Sequence, residues 1–146
     1  MKFSLRLSAF CLIAFPVFFF TGCNNAKVNY KNPESVAMAY AKALNALDID
    51  KAKRYCTKGT AEMLGMLGAI IDGLGADEKK EMEAKAKTTK VEKMNCVKES
   101  NTNCTCSYTT SDNEGEETQI LLVLEGDKWL VDIPKEESPE GEEQPD

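Results

Sequence analysis

Six cysteines and no histidine define the chemistry open to this chain of 146 residues. The cysteines stand at 11, 23, 56, 96, 104 and 106. Thiols can be acylated, can pair as disulfides and can ligate soft metals. Acid–base catalysis near neutral pH usually rests on histidine. Without it, the work falls to a carboxylate or phenol whose pKa has been moved by burial. Asp132, Tyr108, Tyr40 and Tyr55 are the residues to consider. Each also has a plain structural role. Tyr40 and Tyr55 fit helix–sheet packing, Asp132 fits a solvated strand face, and Trp129 fits the core. Tyr40, Tyr108 and Trp129 therefore stand as pocket candidates, and no catalytic residue is assigned. No glycine-rich phosphate loop, nucleophile elbow or histidine-rich metal signature occurs. No cofactor is expected.

The position of Cys23 divides the cysteines. A short basic start (Lys2, Arg6) leads into an apolar block, Leu7 to Phe20, and Thr21-Gly22-Cys23 closes it. That order of parts is an export signal. As a helix the block covers roughly 21 Å, short of a hydrocarbon core about 30 Å thick, and it contains Pro16. Phe20-Thr21-Gly22-Cys23 resembles the lipobox of bacterial lipoproteins, with Phe20 where leucine is usual. The alternatives to this reading are an uncleaved anchor and plain secretion. The resemblance implies cleavage after residue 22 and lipidation of Cys23 with diacylglyceryl and palmitate-class acyl chains, which hold firmly where one chain would not. Asn24 follows in place of an aspartate retention signal, so the outer membrane facing the periplasm is the expected address.

Loss of residues 1–22 would take Cys11 with it and leave Cys56, Cys96, Cys104 and Cys106. In an oxidising compartment an even number of cysteines points to two disulfides, with free buried thiols as the alternative. The Cys-x-Cys spacing at 104 and 106 is not that of a zinc knuckle, and no metal site is expected. Cys104 and Cys106 lie two apart in a candidate strand and face the same side. A three-residue loop, Ser100-Asn101-Thr102, would set Cys96 opposite Cys106; a four-residue loop would set it opposite Cys104. Either gives a cross-strand bridge and leaves the other cysteine for Cys56, tying helix to sheet.

Charge narrows the partners. The formal net charge of −6 becomes −8 once Lys2 and Arg6 are gone. Residues 135–146 hold six acids against Lys135 and no large apolar residue, which reads as a disordered acidic tail. No basic surplus exists to bind nucleic acid. The expected organisation is a signal at 1–22, a tether at 23–31, one folded domain at 32–134 and the tail at 135–146.

Within the domain, Asn32-Pro33-Glu34 is a helix start, and Val36, Tyr40, Ala43, Leu44 and Leu47 form one stripe. Asp48 or Asp50 can cap a short helix over Lys51–Thr57, closed by Gly59. Thr60 can cap a third that is apolar nearly all round, and Asp77 a charged fourth ending near Lys87. The period then changes to two. Strands are expected at Thr89–Glu99, Asn103–Thr110, Glu117–Glu125 and Lys128–Ile133. Gly126-Asp127 makes a two-residue turn that pairs Leu124 with Trp129, Leu122 with Val131 and Ile120 with Ile133. The fold class is α+β, with N-terminal helices packed on a curved four-stranded antiparallel sheet.

Residues 32–48 with the following Lys-Ala-Lys-Arg-Tyr, and the closing Leu122–Ile133 with its Gly-x-Lys-Trp turn, resemble the two ends of nuclear-transport-factor-two-like (cystatin-like) domains in small bacterial lipoproteins. The resemblance implies a cone-shaped domain and speaks to fold more than function. The expected role is a membrane-anchored, non-enzymatic binding domain for a small apolar ligand or an envelope protein. The alternatives are an isomerase or lyase on the same fold, or a purely structural lipoprotein.

Overall fold

The computed structural model describes residues 27–134. The signal at 1–22, Cys11, Cys23 and the tail at 135–146 lie outside the described residues. Four helices precede four strands: α1 (Pro33–Asn45), α2 (Ile49–Lys53), α3 (Lys58–Asp72), α4 (Ala76–Thr88), β1 (Val91–Lys98), β2 (Asn103–Thr110), β3 (Asn113–Glu125) and β4 (Lys128–Val131). The strands form one open antiparallel sheet in the order β1-β2-β3-β4. The fold is α+β. Among the described residues no helix is long and apolar enough to cross a membrane.

Helix α1 begins as its sequence dictates. Asn32 Oδ1 accepts from Glu34 N at 3.0 Å, with Pro33 in the first turn. Its end is less ordinary. The Leu47 and Asp48 amides donate to the Leu44 and Ala43 carbonyls, both at 2.9 Å, which places Leu47 at φ 57°. Glycine is the usual residue there; a leucine in this conformation costs roughly 1–2 kcal/mol. Asp48 then caps α2 by accepting from Lys51 N at 3.1 Å.

Three helices start elsewhere than the sequence reading places them, and β3 begins at Asn113 rather than Glu117. Helix α2 starts at Ile49 and ends at Lys53. The cap of α3 is Thr57, not Thr60, so Gly59 lies in its first turn. Helix α4 starts at Ala76, with Glu78 Oε2 accepting from Gly75 N at 3.2 Å. Thr57 wins its place because the β4 edge holds it. Its amide donates to the Val131 carbonyl at 2.9 Å, and its hydroxyl donates to Asp132 Oδ1 at 2.8 Å.

The β3–β4 hairpin keeps its expected register: Glu125 faces Lys128, Leu124 faces Trp129 and Leu122 faces Val131. Gly126 takes φ 63° in the turn, which suits a two-residue hairpin. Ile133 breaks the pattern. It lies past the end of β4 and is 39% exposed, because its amide turns away to donate to Thr60 Oγ1 at 2.8 Å. Ile120 pairs with Cys106 on β2 instead.

The core sits between α1 and the sheet. Helix α1 contributes Val36, Ala37, Tyr40, Ala41 and Ala43; the strands contribute Cys104, Cys106, Tyr108, Ile120, Leu122, Trp129 and Val131. The last residues of the expected tether join it. Val28 and Tyr30 pack on this cluster, and the Tyr30 carbonyl accepts from Trp129 N at 2.8 Å.

Candidate functional site

Strands β1 and β2 bring three of the four described cysteines together. Lys98 faces Cys104 and Cys96 faces Cys106. This is the register of the three-residue loop, and the Glu99 amide closes it by donating to the Asn103 carbonyl at 3.0 Å. Cys96 and Cys106, with Cα atoms 4.0 Å apart, form a disulfide. Cys104 projects from the same face of β2, two residues from Cys106, and its thiol is free. The three sulfurs all lie within 4.8 Å of one another. Cys104 and Cys106 are buried, while Cys96 is half-buried.

A cleft of about 400 Å³ opens onto this group. Its walls are Lys31, Asn32, Pro33 and Glu34 around the start of α1, with Lys98, Cys96 and Cys104 from the sheet. Burial pushes the Cys104 thiol above its ordinary pKa, the nearby Lys98 charge pulls it back, and Glu99 adds to the rise. Lys98 also reaches Trp129, its Nζ 5.7 Å from the ring centroid.

The expected second bridge, between Cys56 and the cysteine left over on β2, does not form. Cys56 is a free, buried thiol donating to the Ala52 carbonyl at 3.3 Å. It sits against β4, where it bridges to Val131. Cys104 pairs with Leu122, Leu122 with Val131 and Val131 with Cys56, so Cys56 and Cys104 are about three strand spacings, roughly 14 Å, apart along the sheet. A disulfide needs Cα atoms within about 7 Å. Burial raises the Cys56 pKa to about 12, which keeps the thiol neutral.

The three pocket candidates are packing residues. Tyr40, Tyr108 and Trp129 are 4%, 5% and 3% exposed, and all belong to the core. Burial moves the Tyr40 phenol up to about 12, with the Cys56 thiol and the Tyr108 phenol adding to the rise. Burial also raises Tyr108, against a lowering hydrogen bond with Thr118. Asp132 is not a free carboxylate on a solvated face, because the Thr57 hydroxyl donates to it. Tyr55 packs beside Tyr30, ring centroids 6.2 Å apart.

A larger cleft, about 790 Å³, lies elsewhere, among α2, α3, α4 and the Leu47 turn. Gly65 and Gly68 line it. A Cβ on Gly68 would come into van der Waals contact with Ile49, 3.4 Å from Cγ2, so α2 packs against this part of α3. The charged rim includes the Asp72–Lys79 and Asp50–Lys53 pairs, each at 3.1 Å. Neither cleft is lined by Tyr40, Tyr108 or Trp129.

Sequence reasoning missed Lys31, Glu34 and Lys98 as neighbours of the cysteines. The alternation of β1 carried the signal for Lys98, which shares a face with Cys96. Nothing local carried it for Lys31 and Glu34, which α1 and its approach bring across the fold. Compared with protein-family models, with curated proteins and with solved structures, the chain matches none.

Proposed function

We propose that the chain is a lipid-anchored protein of a bacterial envelope whose domain binds a partner protein rather than turning over a substrate. The lipobox-like Phe20-Thr21-Gly22-Cys23 and the nuclear-transport-factor-two-like ends of the domain support the address and the class. The packing of Val28 on the core leaves five Cα steps back to Cys23. Fully extended, they reach about 18 Å. A partner would thus be met close to the membrane surface, on the periplasmic side of an outer membrane.

The observation that carries this reading is the outer face of α3. Met66 and Ile70 are 64% exposed and Leu67 39%. These three residues sit at helical spacing on one side. Contiguous exposed apolar residues mark interaction surfaces more often than scattered ones. The apolar-ligand version has less support, because Tyr40, Tyr108 and Trp129 occupy the space between α1 and the sheet. An isomerase or lyase would need polar groups converging in a cavity. Burial instead keeps the Tyr40 phenol and the Cys56 thiol neutral.

Photocrosslinking in bacterial cells tests the proposal. A photoreactive residue at 66 or 70 is expected to yield a protein adduct of one discrete mass. A probe at the exposed Lys80 on α4 should yield none. Cys23→Ser, which releases the anchor, should remove the adduct. Lipid adducts alone, or equal adducts from position 80, would overturn it.

A further inference from the structure

We propose that Cys96, Cys104 and Cys106 form a three-thiolate site for a soft monovalent cation, Cu(I), when the Cys96–Cys106 bond is reduced. The geometry is nearly in place. Three thiolates about 2.3 Å from a shared cation stand about 4 Å apart, and these three sulfurs already lie within 4.8 Å of one another. Two come from one face of β2 and the third from the paired position on β1. The antiparallel ladder therefore holds the triangle without help from a flexible loop.

A dithiol reductant gives two electrons and two protons to the sulfur–sulfur bond and itself becomes a disulfide. Cys96 and Cys106 are then thiols beside the Cys104 thiol. Binding of Cu(I) displaces three protons and leaves a centre of net charge −2. Lys98 and Lys31 on the cleft wall supply positive charge, as does the N-terminal end of α1 at Pro33. Glu34 on the same rim opposes them in part.

The donor set selects the ion. Thiolates favour soft cations. Structural zinc takes four ligands, and the chain has no histidine to complete a set. Among the described residues no fourth cysteine or carboxylate joins the three sulfurs. Cys56 is held away against β4. The bridged and metal-bound states exclude each other, because the same two sulfurs serve both. The site is thus gated by reduction, and the cleft of about 400 Å³ reaches Cys96 and Cys104 directly.

The test uses the full chain with Cys11→Ser and Cys23→Ser, so that only the domain cysteines titrate. Under nitrogen, Cu(I) is titrated against a colorimetric chelator before and after dithiol reduction. The reduced chain is expected to take one Cu(I) with near-ultraviolet thiolate-to-copper absorption; the oxidised chain should leave it with the chelator. Cys104→Ser should weaken binding by more than about 100-fold, beyond what loss of an outer-shell partner costs, and Cys56→Ser should not change it. Alkylation of the unsubstituted trio avoids any folding defect of a variant: copper should protect Cys96, Cys104 and Cys106 together. Copper uptake by the oxidised chain, protection that omits Cys104, loss of binding in Cys56→Ser, or loss of sheet circular dichroism on reduction would each overturn the proposal.

Discussion

Helix α3 is more apolar than helix α1, and it is the more exposed of the two. Helix α1 buries Pro33, Val36, Ala37, Tyr40, Ala41 and Ala43. Helix α3 buries only Thr60 and Leu64. The difference lies in what each helix meets. Helix α1 crosses all four strands, and its alanines let the backbone come close to them. Helix α3 rests mainly on α2, a five-residue helix too short to cover it. Helix α4 adds little cover, since it buries no residue and is tied by surface pairs such as Lys85–Asp112 at 3.2 Å. An apolar helix is buried only where a sheet face is left for it, and α1 has taken that face.

The largest expected effect tests the dense side of this contrast. Trp129→Ala should cost about 3–5 kcal/mol in denaturant unfolding, as for a large buried aromatic. A loss below about 1 kcal/mol, the size of an ordinary substitution, would mean that the inner sheet face is not the core.

Alkaline titration probes the same side more gently. Unfolded, the Cys56 thiol ionises near 9.0 and the Tyr40 phenol near 10.0; folded, each is moved up to about 12. Between those values the unfolded chain has released protons that the folded chain still holds. Stability should therefore be complete below pH 9 and fall as pH rises toward 12. In Cys56→Ala the decline between pH 9 and 10 should be shallower, with only the raised Cys104 thiol left to carry it, as read from circular dichroism against pH. An unchanged slope over that interval would place the Cys56 thiol in contact with solvent.

The smallest effect belongs to the open side. Ile70→Ser should change stability by no more than about 0.5 kcal/mol while removing the crosslinked adduct expected from position 66. A loss of several kcal/mol would show that α3 is covered by its own chain.

Much of the architecture was legible because its signals are local. The Asn32-Pro33 start, the change from helical to two-residue period, and the Gly126-Asp127 turn each depend on neighbours in sequence. The hairpin register followed, since a slip would turn Trp129 outward. The start of α4 was missed on a local signal, the Gly75–Glu78 bond, and the other main misses are long-range. Thr57 replaced Thr60 as the cap of α3 because the end of β4 and the two residues after it, more than 70 residues on, bond both threonines. Ile133 left the sheet for the same reason. The tether shortened because the carbonyl of Tyr30 found the β4 edge.

The cysteines mark the boundary between the two kinds of information. Their number, the placement of Cys104 and Cys106 on one strand face, and the choice of Cys96 as their neighbour come from sequence and strand periodicity. Which cysteine Cys96 pairs with depended on the length of one loop, and a loop of three or four residues costs nearly the same to close. That Cys56 stands apart depended on which strand α2 leads into, a fact of packing alone. Sequence by itself determined the kinds of element and the α+β class, because propensity and periodicity act over a few residues. Tertiary structure decided which apolar helix is covered and which thiols meet, because both depend on surfaces that exist only after the sheet has formed.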